Sequence, residues 1–201
     1  MKKLIALLLV LLLPLCAFAE LDEDDDCVVT LPGVTFFFTP PEEAYLLTRE
    51  SSASAYNALG LSQREIVAWM EDYEIHALLF DAGFTCEVQV LAYEGWTDAD
   101  FDDLTDYGAE MECNALRYEY TDQGYDVISC EMYYAPEGHA YIRLEATYEY
   151  EGGMVDRMVE YCTIQGGYVV SVFLICYAPA ITPEQTLLVE SVVDSLWILP
   201  S

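Results

Sequence analysis

Apolar residues recur at every second position through much of this chain, and short polar or glycine-bearing turns interrupt them. Residues 116–120, 125–134, 140–150, 154–164 and 168–177 read this way, separated by Gln123-Gly124, Pro136-Glu137-Gly138, Glu151-Gly152-Gly153 and Gln165-Gly166-Gly167. Two-residue alternation broken by glycine is the pattern of consecutive hairpins, so these segments predict an antiparallel meander. Pairing them about their turns sets Ile142, Leu144 and Ala146 beside Tyr161 and Val159, and these beside Val170, Val172 and Leu174. One face is then apolar, while Tyr141, Arg143, Glu145 and Glu149 occupy the face turned to water.

Upstream, the same reasoning predicts a hairpin of 34–38 with 44–48 across a proline-containing turn, and a second of 75–80 with 85–92 across Asp81-Ala82-Gly83. Residues 51–60 read as a loop. A helical period replaces the alternation in three places. Ile66, Trp69, Met70 and Tyr73 follow Ser62-Gln63-Arg64-Glu65, a capping-box pattern. Phe101, Leu104, Gly108 and Met111 form an inward stripe on a helix capped at Thr97, with Asp102, Asp103, Asp106, Glu110 and Glu112 outward. Thr182-Pro183-Glu184-Gln185 opens a last helix carrying Leu188, Val192 and Leu196. Strands and about three helices packed on one face of the sheet make an α+β domain.

The start of the chain changes the setting. Lys2 and Lys3, an apolar stretch, and Ala17-Phe18-Ala19 form a charged start, an apolar middle and an A-x-A site, so residues 1–19 read as an export signal. Its apolar run, residues 4–19, falls short of the 18 or so residues that a spanning helix needs. Cys16 raises a lipid-anchored alternative, although Leu15 precedes it where small residues are usual. Residues 20–27 form an acidic leader, and 28–201 fit one domain.

Charge narrows the partners. The formal net charge is −29, both lysines fall in the signal, and beyond it five arginines face 36 acidic residues. Nucleic acid and anionic membrane surfaces would be repelled, whereas metal ions, cationic peptides and neutral glycans would not. Six cysteines follow the signal: Cys27, Cys86, Cys113, Cys130, Cys162 and Cys176. An even count in an exported chain permits disulfides, but none stands at C-x-x-C spacing, and six cysteines allow fifteen pairings.

Catalytic chemistry finds little support in the residues. The chain has no nucleophile elbow, no H-E-x-x-H and no phosphate-binding glycine loop, and its two histidines, His76 and His139, read as a strand residue and a turn residue. The spacing Asp98-x-Asp100-x-Asp102 suggests a calcium loop, yet Asp103 stands where such a loop requires glycine and Ala109 where it requires a bidentate glutamate. Carboxylate pairs of the glycosidase kind are too numerous to single one out. Tyrosine is the more pointed feature. There are sixteen, and Tyr133, Tyr134, Tyr141, Tyr148 and Tyr150 could line an exposed aromatic face suited to sugars or to a protein partner. Alternatively, one of each adjacent pair fills the core.

The run Phe36-Phe37-Phe38-Thr39-Pro40, then Tyr45-Leu46-Leu47-Thr48-Arg49, the helix and hairpin after it, and the closing Val192-Val193-Asp194-Ser195-Leu196 resemble exported PsbP-like α+β domains of anaerobic bacteria. The resemblance covers nearly the whole chain beyond the signal. It implies a non-enzymatic accessory or binding role without choosing one, and carries over no site residue; the absence of catalytic motifs adds the expectation of no cofactor. The expectation is thus a secreted, non-catalytic domain that binds a protein or glycan at the cell surface. A carboxylate-pair hydrolase and a calcium-dependent adhesion module are the alternatives.

Overall fold

The C-terminal helix shows most directly how the sequence builds the fold. In the computed structural model, which describes residues 26–95, 100–136, 138–150, 153–178 and 180–200, Thr182 caps the first turn of Pro183–Asp194. Its hydroxyl accepts from Gln185 N while the Gln185 side chain returns to Thr182 N, the predicted capping box. The other elements in chain order are β1 (Cys27–Leu31), β2 (Val34–Phe38), β3 (Tyr45–Thr48), α1 (Ala53–Ala58), α2 (Gln63–Asp72), β4 (Ile75–Phe80) and β5 (Cys86–Glu94). A single 3-10 turn (Phe101–Asp103) leads to α3 (Asp106–Asp122), then β6 (Asp126–Tyr134), β7 (Ala140–Glu149), β8 (Val155–Gln165) and β9 (Tyr168–Cys176). The capped helix is α4, followed by β10 (Trp197–Pro200).

All strand pairs are antiparallel. Seven strands form a large sheet in the order β3-β4-β5-β9-β8-β7-β6, and β1-β2-β10 form a small one. The predicted hairpin of β4 and β5 and the meander from β6 to β9 are present. Gly166 and Gly167, at φ of 57° and 80°, make the two-residue turn between β8 and β9, a conformation that L side chains rarely adopt.

Several sequence expectations are corrected. Residues 34–38 do not pair with 44–48. β2 lies between β1 and β10, and β3 pairs with β4 in the other sheet. Residues 53–58 are a helix capped by Ser52 rather than loop. Ser62 begins α2 but makes no side-chain cap bond. On α2, Ile66 and Met70 are buried and Tyr73, just past the helix end, is half exposed.

The helix placed at Thr97 starts later. Its proposed cap lies outside the described residues, and α3 is capped by Thr105, whose hydroxyl accepts from Gly108 N at 3.1 Å. Residues 116–120 are helical, not a strand. Ala109 and Cys113 are buried and Leu116 and Tyr120 half-buried, so the inward stripe follows the 3.6-residue period through the tyrosines, whose strand propensity suggested alternation. Met111, expected inside, is exposed.

The meander's register also differs by one residue between β7 and β8. Ile142 faces Cys162, Leu144 faces Glu160 and Ala146 faces Met158, whereas Tyr161 and Val159 stand opposite Arg143 and Glu145. The β8–β9 pairs Tyr161–Val172 and Val159–Leu174 are as read. The slip follows from both faces being covered, because apolar residues on either side leave the pattern unable to choose between registers.

One face of the large sheet carries Leu79, Val88, Val90, Val159, Tyr161, Val172 and Leu174 against Val189, Val192 and Val193 of α4 and Phe36 and Phe38 of the small sheet. The other face carries α1, α2 and α3: Leu47, Ile75, Leu78 and Phe80 pack on Tyr56, Ile66 and Met70, and Ile142, Cys162 and Ile164 pack on Cys113. Three helices thus share one face. The last helix, expected among them, lies on the opposite side with the small sheet.

Candidate functional site

β6 is the longest strand left at a sheet end among the described residues, and its outer edge is open. Ala135 N donates to His139 O at 3.0 Å, which fixes the phase of the ladder. Because hydrogen-bonded and non-hydrogen-bonded pairs alternate, Cys130, Met132 and Tyr134 then turn their amides and carbonyls away from β7. The Arg117 guanidinium, reaching over from α3, donates to one of these carbonyls, Cys130 O, at 3.2 Å. Between this edge and α3 runs an open groove of about 330 Å³, with Cys113, Arg117, Met132 and Tyr134 on its walls and Asp106 and Glu110 at its acidic end. That volume falls at the lower end of ligand clefts. Tyr134 is 68% exposed.

A second constellation lies deeper on the same face. Glu160 is 4% exposed and accepts from Tyr120 Oη at 2.6 Å and from Ser171 Oγ at 2.9 Å. Burial pushes its carboxyl up to about 7, and the two hydrogen bonds offset only part of that rise. Glu87 is also buried, is bonded by the Gln89 amide and the Tyr177 hydroxyl, and is likewise raised by burial. Burial raises Asp156 as well, against the hydrogen bond from Tyr150. The rings of Tyr120, Tyr125, Tyr148 and Tyr150 run beside them with successive centroids 5.1, 5.0 and 4.9 Å apart. In the sequence Glu87 and Gln89 alternate with Cys86, Val88 and Val90, a pattern that ordinarily turns the polar half to water. Helices covering that face reverse the inference.

The five tyrosines singled out in the sequence divide between the two faces. Tyr134, Tyr148 and Tyr150 are on the side of α3, and only Tyr134 among the five is exposed. Tyr133 and Tyr141 are on the side of α4. Tyr133 donates to Asp194 Oδ1 at 2.6 Å and meets the Tyr161 ring edge-on at 5.0 Å. Tyr141 is fully buried, not turned to water as its place in the pattern suggested, and its hydroxyl has no hydrogen-bond partner. A buried hydroxyl without a partner is costly, so Tyr141→Phe is expected to stabilise the protein by about 1–2 kcal/mol. Urea unfolding checks this, and a lower midpoint for the variant would contradict it. Further along the same strand face, Glu145 receives Arg157 Nη2 at 3.1 Å and Arg143 Nη2 at 3.5 Å, a charge network inside the face predicted to be solvated.

The remaining sequence candidates have structural partners. His76 is buried, its Nε2 donates to Ala92 O at 3.1 Å, and desolvation lowers its pKa. His139 Nδ1 lies 2.9 Å from Asp102 Oδ2, while Asp102 Oδ1 accepts from Ala140 N at 2.6 Å. Asp100 accepts from Gly166 N at 2.7 Å. These aspartates tie the 3-10 turn to the ends of two hairpins. Asp98 lies outside the described residues, and among the described residues no cluster of three or more His, Cys, Asp or Glu side chains is arranged to hold a metal ion. No described helix is long and apolar enough to cross a membrane.

The architecture defines an α+β domain of PsbP-like fold. Its arrangement is similar to the solution structure of cyanobacterial PsbP (CyanoP) from Synechocystis sp. PCC 6803, with a TM-score of 0.50 and 14% identity over 92% of this chain and 99% of that one. A crystal structure from Bacteroides thetaiotaomicron VPI-5482 aligns with a TM-score of 0.44 at 10% identity, over 81% of this chain and 44% of that one. No protein-family model matches the chain. No curated protein matches it either.

Proposed function

We propose that this chain is an exported, non-catalytic binding domain that takes a basic, extended segment of a partner protein along the open edge of β6, under α3. The observation that carries the reading is the coincidence of outward backbone groups at Met132 and Tyr134, with the Cys130 carbonyl beside them held by Arg117, and a side-chain groove on the same edge. An added strand bonds to such an edge through its main chain and gains specificity from alternate side chains entering the groove. Charge selects the partner. A chain of net charge −29, with Asp106 and Glu110 on the groove and Glu131 exposed on the strand, repels acidic segments, a second copy of itself included. The start of the chain supports export: Lys2, Lys3 and the Ala17-Phe18-Ala19 site fit a secretory signal.

The paired-carboxylate hydrolase draws on carboxyls of raised pKa, but Glu87 and Glu160 are buried and line neither this groove nor the one beside α2 bounded by Arg49, Gln63, Arg64 and Glu71. A covered acid has no access to a glycosidic oxygen.

The test is an array of basic and acidic ten-residue peptides, with a glycan array in parallel, probed with the purified domain. Basic peptides are expected to be retained. Met132→Pro removes an outward amide without removing a ladder bond; it lowers Tm, because the Met132 side chain packs on the core beneath α3, and should abolish retention at a temperature where the variant is still folded. Tyr134→Ala, at an exposed position, should weaken retention several-fold. Silence of the peptide array, retention of glycans alone, or basic-peptide capture that survives both substitutions would overturn the reading.

A further inference from the structure

Six described cysteines are free thiols in this structure, and the fold brings two pairs of them into contact: Cys113 of α3 with Cys130 of β6, and Cys86 on β5 with Cys176, which stands directly opposite it on β9. Their place in the ladder can be read from the neighbouring pair. Tyr177 N donates to Thr85 O at 3.3 Å, so Thr85 and Tyr177 form a hydrogen-bonded pair and Cys86–Cys176 the adjoining non-hydrogen-bonded one. Cys86 N turns away from β9 and donates to Asp81 Oδ1 at 3.0 Å, which agrees. Antiparallel partners in a non-hydrogen-bonded pair have Cα atoms about 4.5 Å apart and side chains drawn together, within the span that a disulfide bridges. The two thiols are in hydrogen-bonding contact and both are completely buried.

We infer that Cys86 and Cys176 are a disulfide-forming pair, a cross-strand staple closed when the chain folds in an oxidising compartment. The same sheet excludes another pairing. Cys130 lies opposite Leu144 and Leu144 opposite Glu160, and Cys162 stands two residues further along β8, so Cys162 is about 12 Å from Cys130 and beyond disulfide reach. The staple is independent of the peptide-binding reading, since it lies in the middle of the large sheet and not at its β6 edge.

The chemistry is thiol–disulfide exchange with a small-molecule disulfide. One cysteine thiolate attacks a sulfur of glutathione disulfide, forms a mixed disulfide and expels glutathione thiolate. The second cysteine, deprotonated, attacks the protein-side sulfur and expels the second glutathione. Two protein thiols are oxidised and one glutathione disulfide is reduced to two glutathiones. The exchange belongs to the folding chain, because in the folded state the sulfurs are covered and the Asp81 carboxylate, 3.6 Å from the Cys86 sulfur, opposes its thiolate.

The experiment refolds the full chain in a buffer of reduced and oxidised glutathione, alkylates it without reduction, and maps the linked peptides by mass spectrometry. A peptide pair joining Cys86 to Cys176 is expected. The staple closes a loop of about ninety residues, so it should raise the melting temperature of the oxidised protein by about 5–15 °C over the reduced form, and Cys86→Ser/Cys176→Ser should remove that part of the shift. Should the double variant fail to fold, the peptide map of the native chain decides alone. Alkylation of both residues after oxidative refolding, or linkage of either to Cys27 or another cysteine, overturns the inference.

Discussion

Glu160→Gln is expected to raise stability by about 3 kcal/mol at pH 8 and by less than about 1 kcal/mol at pH 5. The folded carboxyl titrates near 7 and an ordinary glutamate near 4.5, a difference equivalent to about 3 kcal/mol. The sign follows from the direction of the shift. With the folded value above the unfolded one, the protonated group contributes its full stability below pH 4.5, and that contribution is lost as pH rises through about 7. The wild-type protein should therefore be more stable at pH 5 than at pH 8 on this account, and Glu87 and Asp156, raised by the same burial, act in the same direction. His76 acts oppositely. Its lowered pKa favours the neutral ring, so stability from that site falls as pH drops below the usual histidine value. Comparing Glu160→Gln with wild type at each pH isolates Glu160, because the other groups are common to both. Glutamine keeps an acceptor for Tyr120, and Ser171 can accept from its amide. Urea midpoints at the two pH values make the measurement. An equal difference at pH 5 and pH 8 would show that Glu160 is ionised in the folded protein at both.

Phe36→Ala should cost about 3–5 kcal/mol, the usual penalty for emptying a fully buried aromatic site. Phe36 lies on the central strand of the small sheet, opposite Val29 of β1 and Ile198 of β10, and its ring meets His76 edge-on at 5.9 Å. The substitution thus opens a void where the two sheets share one core. Val28→Ala, on β1 but 62% exposed, is the matched control and should shift the urea midpoint little. Similar losses from both would mean that the small sheet is not packed on the large one.

What could be read in advance, and what could not, divides along one physical line. The hairpins β4–β5, β6–β7, β7–β8 and β8–β9 were legible because their strands alternate and their turns are short, so local sequence carries both the strand and its partner. The capping box at Thr182 was legible for the same reason. Tyr118, Glu119 and Tyr120 were misread as strand because propensity is a weak prior, and the burial of Cys113, Leu116 and Tyr120 against the sheet overrides it. Of the five tyrosines, the sequence could mark the residue type but not the side on which each would fall. The edge groove carries only Tyr134 from that set, because Arg117, Cys113 and Met132 become neighbours only once α3 lies against β6.

By itself the sequence determined an acidic α+β chain of antiparallel hairpins with a capped final helix, since composition, alternation and turn chemistry act over a few residues at a time. The tertiary structure alone decided that β2 joins β10 across 160 residues of chain, that α4 takes the face opposite the other helices, and that Cys86 meets Cys176. Those contacts depend on which faces are covered, and a chain whose central strands are apolar on both sides does not state that locally.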